Sequence, residues 1–192
     1  MTLDGQTPID EDEASDLKLL HITTLAELNV WESQNISIAE SWAFKSRQRD
    51  ILDDLFLKEL HRRMFCDVWK WAGKYRKTNK NIGVDKQLIA VALRNLIEDT
   101  RVWLDCHTFE ADELAVRFHH RLVFIHPFPN GNGRHARLMT DVLIAKKLKM
   151  PLFTWGSIHG LGAETQTRAA YIHALRAADK GDFGPLIQFV RT

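Results

Sequence analysis

From Ile51 to Val68 the apolar residues Leu52, Leu55, Phe56, Leu60, Met64 and Val68 return every three to four positions, the spacing that lines one face of an α-helix. The same period runs from Leu88 to Leu104 through Leu88, Ala92, Leu96 and Trp103. It runs again from Asp112 to Ile125 through Ala115, Phe118, Leu122 and Ile125, and from Asn132 to Lys147 through Leu138, Val142 and Ala145. Two more helices are predicted near Leu25–Phe44 and Glu164–Ala178, the latter ended by Gly181. One stretch breaks the period. Tyr75 to Asp85 mixes Thr78, Asn79, Asn81 and Gly83 with Tyr75, Ile82 and Val84, a turn-rich pattern that predicts a short β-hairpin or an interhelical loop. The expected fold is an all-α bundle.

A chain of 192 residues with 45% apolar content can bury one core, and no break in composition argues for a second domain. Residues 1–20 read as an acidic N-terminal extension and 21–192 as the folded domain. A net charge of +1 supplies no general basic field, so direct nucleic-acid binding is not expected. The chain holds neither a signal-like N-terminus nor an apolar run of the ~18 residues a membrane span needs. The expected location is therefore the cytoplasm, with Cys66 and Cys106 as reduced core thiols.

Residues 126 to 137, His-Pro-Phe-Pro-Asn-Gly-Asn-Gly-Arg-His-Ala-Arg, carry the chemistry. Gly131, Asn132 and Gly133 allow a turn that brings bare amides up to an anion, and a helix starting near Asn132 adds its unpaired N–H groups and dipole. Phosphate is the natural occupant. Arg134 and Arg137, three apart, share a face of that helix and can reach the same polyphosphate. His126 supplies an adjacent titratable base.

At these residues the chain resembles the Fic (filamentation induced by cAMP) domain family, whose motif is His-x-Phe-x-(Asp/Glu)-Gly-Asn-Gly-(Arg/Lys)-x-x-Arg. Every defined position matches except Asn130. Trp71-Ala72-Gly73-Lys74-Tyr75-Arg76 is similar to the segment before the family's target-docking hairpin, and Tyr171 through Phe189 to its C-terminal helix region. Thr7-Pro8-Ile9-Asp10, His21-Ile22-Thr23-Thr24 and Glu27-Leu28-Asn29 are similar to a compact bacterial subgroup, mobile mystery protein B.

The resemblance implies a protein adenylyltransferase that moves AMP from ATP to a Ser, Thr or Tyr hydroxyl of a target protein. It implies His126 as general base, Phe128 as packing anchor and Gly131, Asn132 and Gly133 as phosphate-facing amides. Arg134 would stabilise the leaving pyrophosphate, Arg137 would hold the terminal phosphate, and Tyr171 and Asp179 would lie near the adenosine. Asn81, Ile82, Gly83 and Val84 become a flap that aligns the target by strand addition. Asn130 takes the place of a metal-binding carboxylate, so its neutral oxygen should weaken Mg²⁺ binding to the free protein. The family's inhibitory Ser/Thr-x-x-x-Glu-Gly/Asn pattern places Thr23 and Glu27, with Leu28 departing from it, and would pair Glu27 with Arg137. The subgroup resemblance instead suggests a toxin restrained by an antitoxin or helix-turn-helix partner.

Two other classes stay open, a phosphotransferase like the related Doc toxins and a non-enzymatic nucleotide-binding module. His119, His120, His126 and His135 lack a fixed zinc-ligand pattern, and adjacent His119 and His120 cannot face one direction. The six tryptophans read as core or rim residues.

Overall fold

The computed structural model describes residues 15–19, 24–47, 50–156 and 164–192. Thr24 opens α1 (Leu25–Lys45) with a capping box: its hydroxyl accepts from the Glu27 N–H at 3.2 Å while the Glu27 carboxylate accepts from the Thr24 N–H at 3.1 Å. Leu28, Glu32, Asn35, Ala39 and Ala43 form its buried stripe. The helices that follow are α2 (Asp54–Phe65), α3 (Ile89–Asp105), α4 (Ala111–Ile125) and α5 (Asn132–Leu143), then α6 (Glu164–Ala178) and α7 (Gly184–Val190). A π-helical turn, Ile144–Leu148, extends α5 and stops at left-handed Lys149, two residues before Pro151.

Helix α1 packs on α2, α4 lies between α3 and α5, and α6 pairs with α7. The main core joins α1 to α5 around Phe56, Leu60, Met64, Phe65, Phe118 and Leu122. A smaller cluster seats α6 and α7 on Ala115, Val116 and Ile144. No helix among the described residues is long and apolar enough to cross a membrane.

The all-α reading holds, with local corrections. Leu55 and Leu88, expected in the core, are 70% and 55% exposed; the buried stripe of α3 is Ile89, Leu93, Leu96, Ile97 and Thr100, one residue out of register with the expected face. Cys106 is exposed and Cys66 half-buried, so neither is a core thiol. Between Tyr75 and Asp85 no strand ladder forms. Bends stand at 77–78 and 81–84, and the one bridge among the described residues, Leu17 to Trp69, lies before them.

Candidate functional site

Helix α4 ends because His126 turns left-handed, with φ 53°. Phe128, fully buried, then anchors the connecting loop: its ring stacks on His61 at 3.6 Å and 9°, with Tyr75 and His135 around it. Asn132 clamps the same residue from the start of α5, its Oδ1 accepting from the Phe128 N–H at 2.9 Å and its Nδ2 donating to the Phe128 carbonyl at 2.8 Å. The Asn132 side chain therefore shapes the loop and faces inward. The Gly73 N–H donates to His61 Nδ1 at 3.0 Å, which leaves Nε2 to carry the proton and donate to the Asn130 carbonyl at 3.1 Å.

The two glycines differ in purpose. Gly131 has φ 74°, and a Cβ there would stand 2.5 Å from the Phe65 ring; a Cβ on Gly133 would meet nothing within 4 Å. Gly131 is thus fixed by packing, whereas Gly133 keeps the first turn of α5 open, where amides lack intrahelical partners. Asn130 turns its side-chain oxygen onto the Gly131 N–H at 2.7 Å.

His126 is 6% exposed. Burial pushes its imidazole down to about 4, a backbone hydrogen bond to Val123 partly opposing and the charges of Arg76 and Lys80 adding to the depression. The ring is therefore neutral at physiological pH. Its backbone carbonyl accepts from Arg76 Nε at 2.7 Å, and the Arg76 N–H donates to the Pro127 carbonyl at 3.0 Å. Arg76 also donates to the carbonyls of Thr78 and Val84, so a guanidinium holds the bent segment that carries exposed Asn81, Ile82 and Gly83 and half-buried Val84.

The motif arginines have separate fates. Arg134 Nη1 donates to Glu32 Oε2 at 2.6 Å, and the Trp69 indole N–H donates to Glu32 Oε1 at 2.6 Å. Arg137 lies 5.8 Å from the Tyr171 ring and, among the described residues, has no carboxylate within ion-pair range. The Tyr171 hydroxyl meets His119 Nε2 at 2.8 Å, and Thr140 links His119 to the Ala136 carbonyl. Burial holds His119 near 3 and Tyr171 near 12, so both are neutral. Tyr171 thus stands beside the motif, and Asp179 pairs with His120 on α4, at 2.8 Å. His119 is buried, and His120 is half-buried against that carboxylate rather than wet.

Glu27 is engaged by Thr24 and does not meet Arg137; Thr23 lies outside the described residues. Glu32, five residues and about 7.5 Å further along the helix, is the α1 carboxylate that reaches a motif arginine. The sequence reading missed Glu32, His61 and the role of Arg76. A charged or polar residue within an apolar stripe, Glu32 among Leu28, Ala39 and Ala43 or His61 beside Leu57, Leu60 and Met64, was the available signal.

A neutral buried imidazole, an open helix start and two cations thus meet on one turn, an arrangement suited to a polyphosphate beside a proton acceptor. Residues 51–144, which contain all of that turn, match the Fic/DOC family model. The chain is 29% identical over 147 residues to protein adenylyltransferase fic-1 of Caenorhabditis elegans and 31% over 143 residues to that of Caenorhabditis briggsae, covering 72% of this chain in each case. It spans about a quarter of either relative's length, 26%. In fold it is similar to Fic-1 (residues 134–508) from C. elegans, with a TM-score of 0.69 and 24% identity over 90% of this chain and 50% of that one. It is also similar to the BepC protein of Bartonella tribocorum, solved with bound AMPPNP, with a TM-score of 0.68 and 16% identity over 98% and 92% of the two chains. With the motif turn, the helices that frame it and these likenesses in agreement, the chain belongs to the Fic/DOC family.

Proposed function

We propose that this chain is a protein adenylyltransferase that uses ATP to place AMP on a hydroxyl side chain of a target protein. One observation carries the reading: a buried, neutral His126 ends α4 directly before a turn that opens α5 at Gly133 and sets Arg134 and Arg137 on its first face. His126 takes the hydroxyl proton as the target oxygen forms a bond to the α-phosphorus, and the bond from that phosphorus to the pyrophosphate oxygen breaks. Arg134 and Arg137 neutralise charge on the departing pyrophosphate, and the amides of Asn132 and Gly133 orient the chain of phosphates, the Gly131 amide being taken by Asn130 Oδ1. Tyr171, beside Arg137, borders the nucleotide, and Asp179, paired with His120, stands as its outer contact. Asn81 to Val84 present exposed backbone to the target segment.

Asn130 offers one neutral oxygen that already accepts from Gly131, a donor set too weak to hold a resident divalent cation. Mg²⁺ therefore enters as the counter-ion of ATP. Glu32 withholds Arg134 from the nucleotide until it is displaced, which gives the N-terminal helix the restraining role first assigned to Glu27. The location is cytoplasmic, and the subgroup resemblance nominates an antitoxin or helix-turn-helix protein as a second restraint. Mass spectrometry of the product tests the reaction. Adenylyl mass supports it, phosphoryl mass supports the Doc-like alternative, and no added mass on any protein, with nucleotide bound, supports a sensing module. His126→Ala should abolish transfer with nucleotide affinity nearly intact.

A further inference from the structure

A segment without a ladder leaves its carbonyls in need of donors, and the flap meets that need through one side chain. Arg76 is 4% exposed, and among the described residues it has no carboxylate in ion-pair range. Each of its three side-chain nitrogens donates instead to a backbone carbonyl: Nε to His126, Nη1 to Thr78 at 3.0 Å and Nη2 to Val84. The same residue's own N–H donates to Pro127. Both ends of the bent segment and the left-handed residue at the end of α4 therefore converge on one planar fork. Contact is close as well: Gly83 has φ 98°, and a Cβ added there would lie 2.7 Å from His126 Cβ and 3.0 Å from Arg76 Nη2.

We propose that Arg76 is a positioning residue for the transfer reaction, fixing the turn that aims the His126 imidazole and setting the height of the 78–84 segment above it. The proposal rests on the adenylyltransferase reading, and it adds that target docking and base placement share a mechanical part. Only arginine fits the role. Its donors diverge in a rigid plane, whereas a lysine ammonium is a point donor on a flexible stem and cannot hold three carbonyls in fixed relation. A wedge between flap and base should mimic the loss of the fork.

Arg76→Lys, which keeps the charge, and Gly83→Ala, which keeps the arginine but wedges a methyl group against His126 and the guanidinium, test this in the full chain. Transfer of label from α-phosphate-labelled ATP onto protein is measured at saturating ATP, with calorimetric ATP affinity and melting temperature alongside. The His126 imidazole is titrated by NMR and assigned with His126→Ala. Both variants should lose about 10- to 100-fold in rate, the scale of a misplacement near 1 Å, with ATP affinity within about twofold of the parent. The titration midpoint of Arg76→Lys should rise from the parent's low value toward the ordinary 6.5. An unchanged rate and midpoint in Arg76→Lys would overturn the proposal, as would ATP affinity and melting temperature collapsing together with the rate in both variants. If the parent transfers no label, the adenylyltransferase reading fails, and the midpoint shift still decides whether Arg76 positions His126.

Discussion

Replacing Glu32 by glutamine keeps the shape of the side chain and its contact with Trp69 but removes the anion that holds Arg134. A charge-assisted hydrogen bond contributes on the order of 1.5–3 kcal/mol. Arg134 is 36% exposed at its side chain, so water screens part of that attraction and the lower end applies. About 1.4 kcal/mol is a tenfold change in an equilibrium. Glu32→Gln should therefore bind ATP about tenfold more tightly and, with Arg134 free, transfer label from α-phosphate-labelled ATP about tenfold faster. Calorimetry and initial-rate labelling read the two effects separately. A variant that binds and transfers more weakly than the parent would refute the reasoning, because the pair would then aim Arg134 at the nucleotide instead of withholding it. Glu27→Gly is the matched control: it loses the carboxylate half of the capping box while the Thr24 hydroxyl keeps its backbone bond, costs about 1 kcal/mol of stability from glycine in the first turn of α1, and leaves ATP affinity unchanged.

Asn130→Asp adds a carboxylate beside the Gly131 amide and should lower the Mg²⁺ concentration for half-maximal transfer; superimposable metal titrations would remove residue 130 from the metal's surroundings. Asn132→Ala strips the Phe128 backbone of both side-chain partners and should destabilise the fold by about 2–4 kcal/mol, read as a lower urea midpoint at unchanged slope. Stability should also fall on acidification between about pH 6.5 and 4. His119, His126 and His135 are held at about 3, 4 and 4, and His61 is lowered too, so over this window the unfolded chain binds protons that the folded one refuses, at up to about 1.4 kcal/mol per pH unit each. Asp141, pushed up to about 6 by burial, acts in the opposite sense, but it is one group against four. A flat urea midpoint across that range would contradict the burial of these rings.

The helices were legible because each buries a stripe wide enough to impose its period, and the motif turn because Gly131 and Gly133 sit where only a tight loop into a helix makes sense. What escaped depends on long-range pairing. The face of α3 slipped by one residue because Leu88 and Ile89 are equally apolar, and only the neighbours of Ile89 choose between them. The hairpin failed to form because Arg76 supplies donors that a second strand would otherwise provide, and that contact spans 50 residues to His126. Glu27 was selected by spacing alone, while Glu32 is selected by where α1 crosses α5, 102 residues away at Arg134.

The division of the interior into a large cluster and a small one distributes cooperativity unevenly along the chain. Helices α6 and α7 hold to the rest mainly through Ala115, Val116 and Ile144, so residues 164–192 form the portion whose amides should exchange with solvent deuterium at the lowest opening cost. Tyr171 travels with that portion. Each such excursion parts its hydroxyl from His119 and its ring from Arg137, which would let the edge of the turn breathe while Phe128 and its stacked histidine stay still.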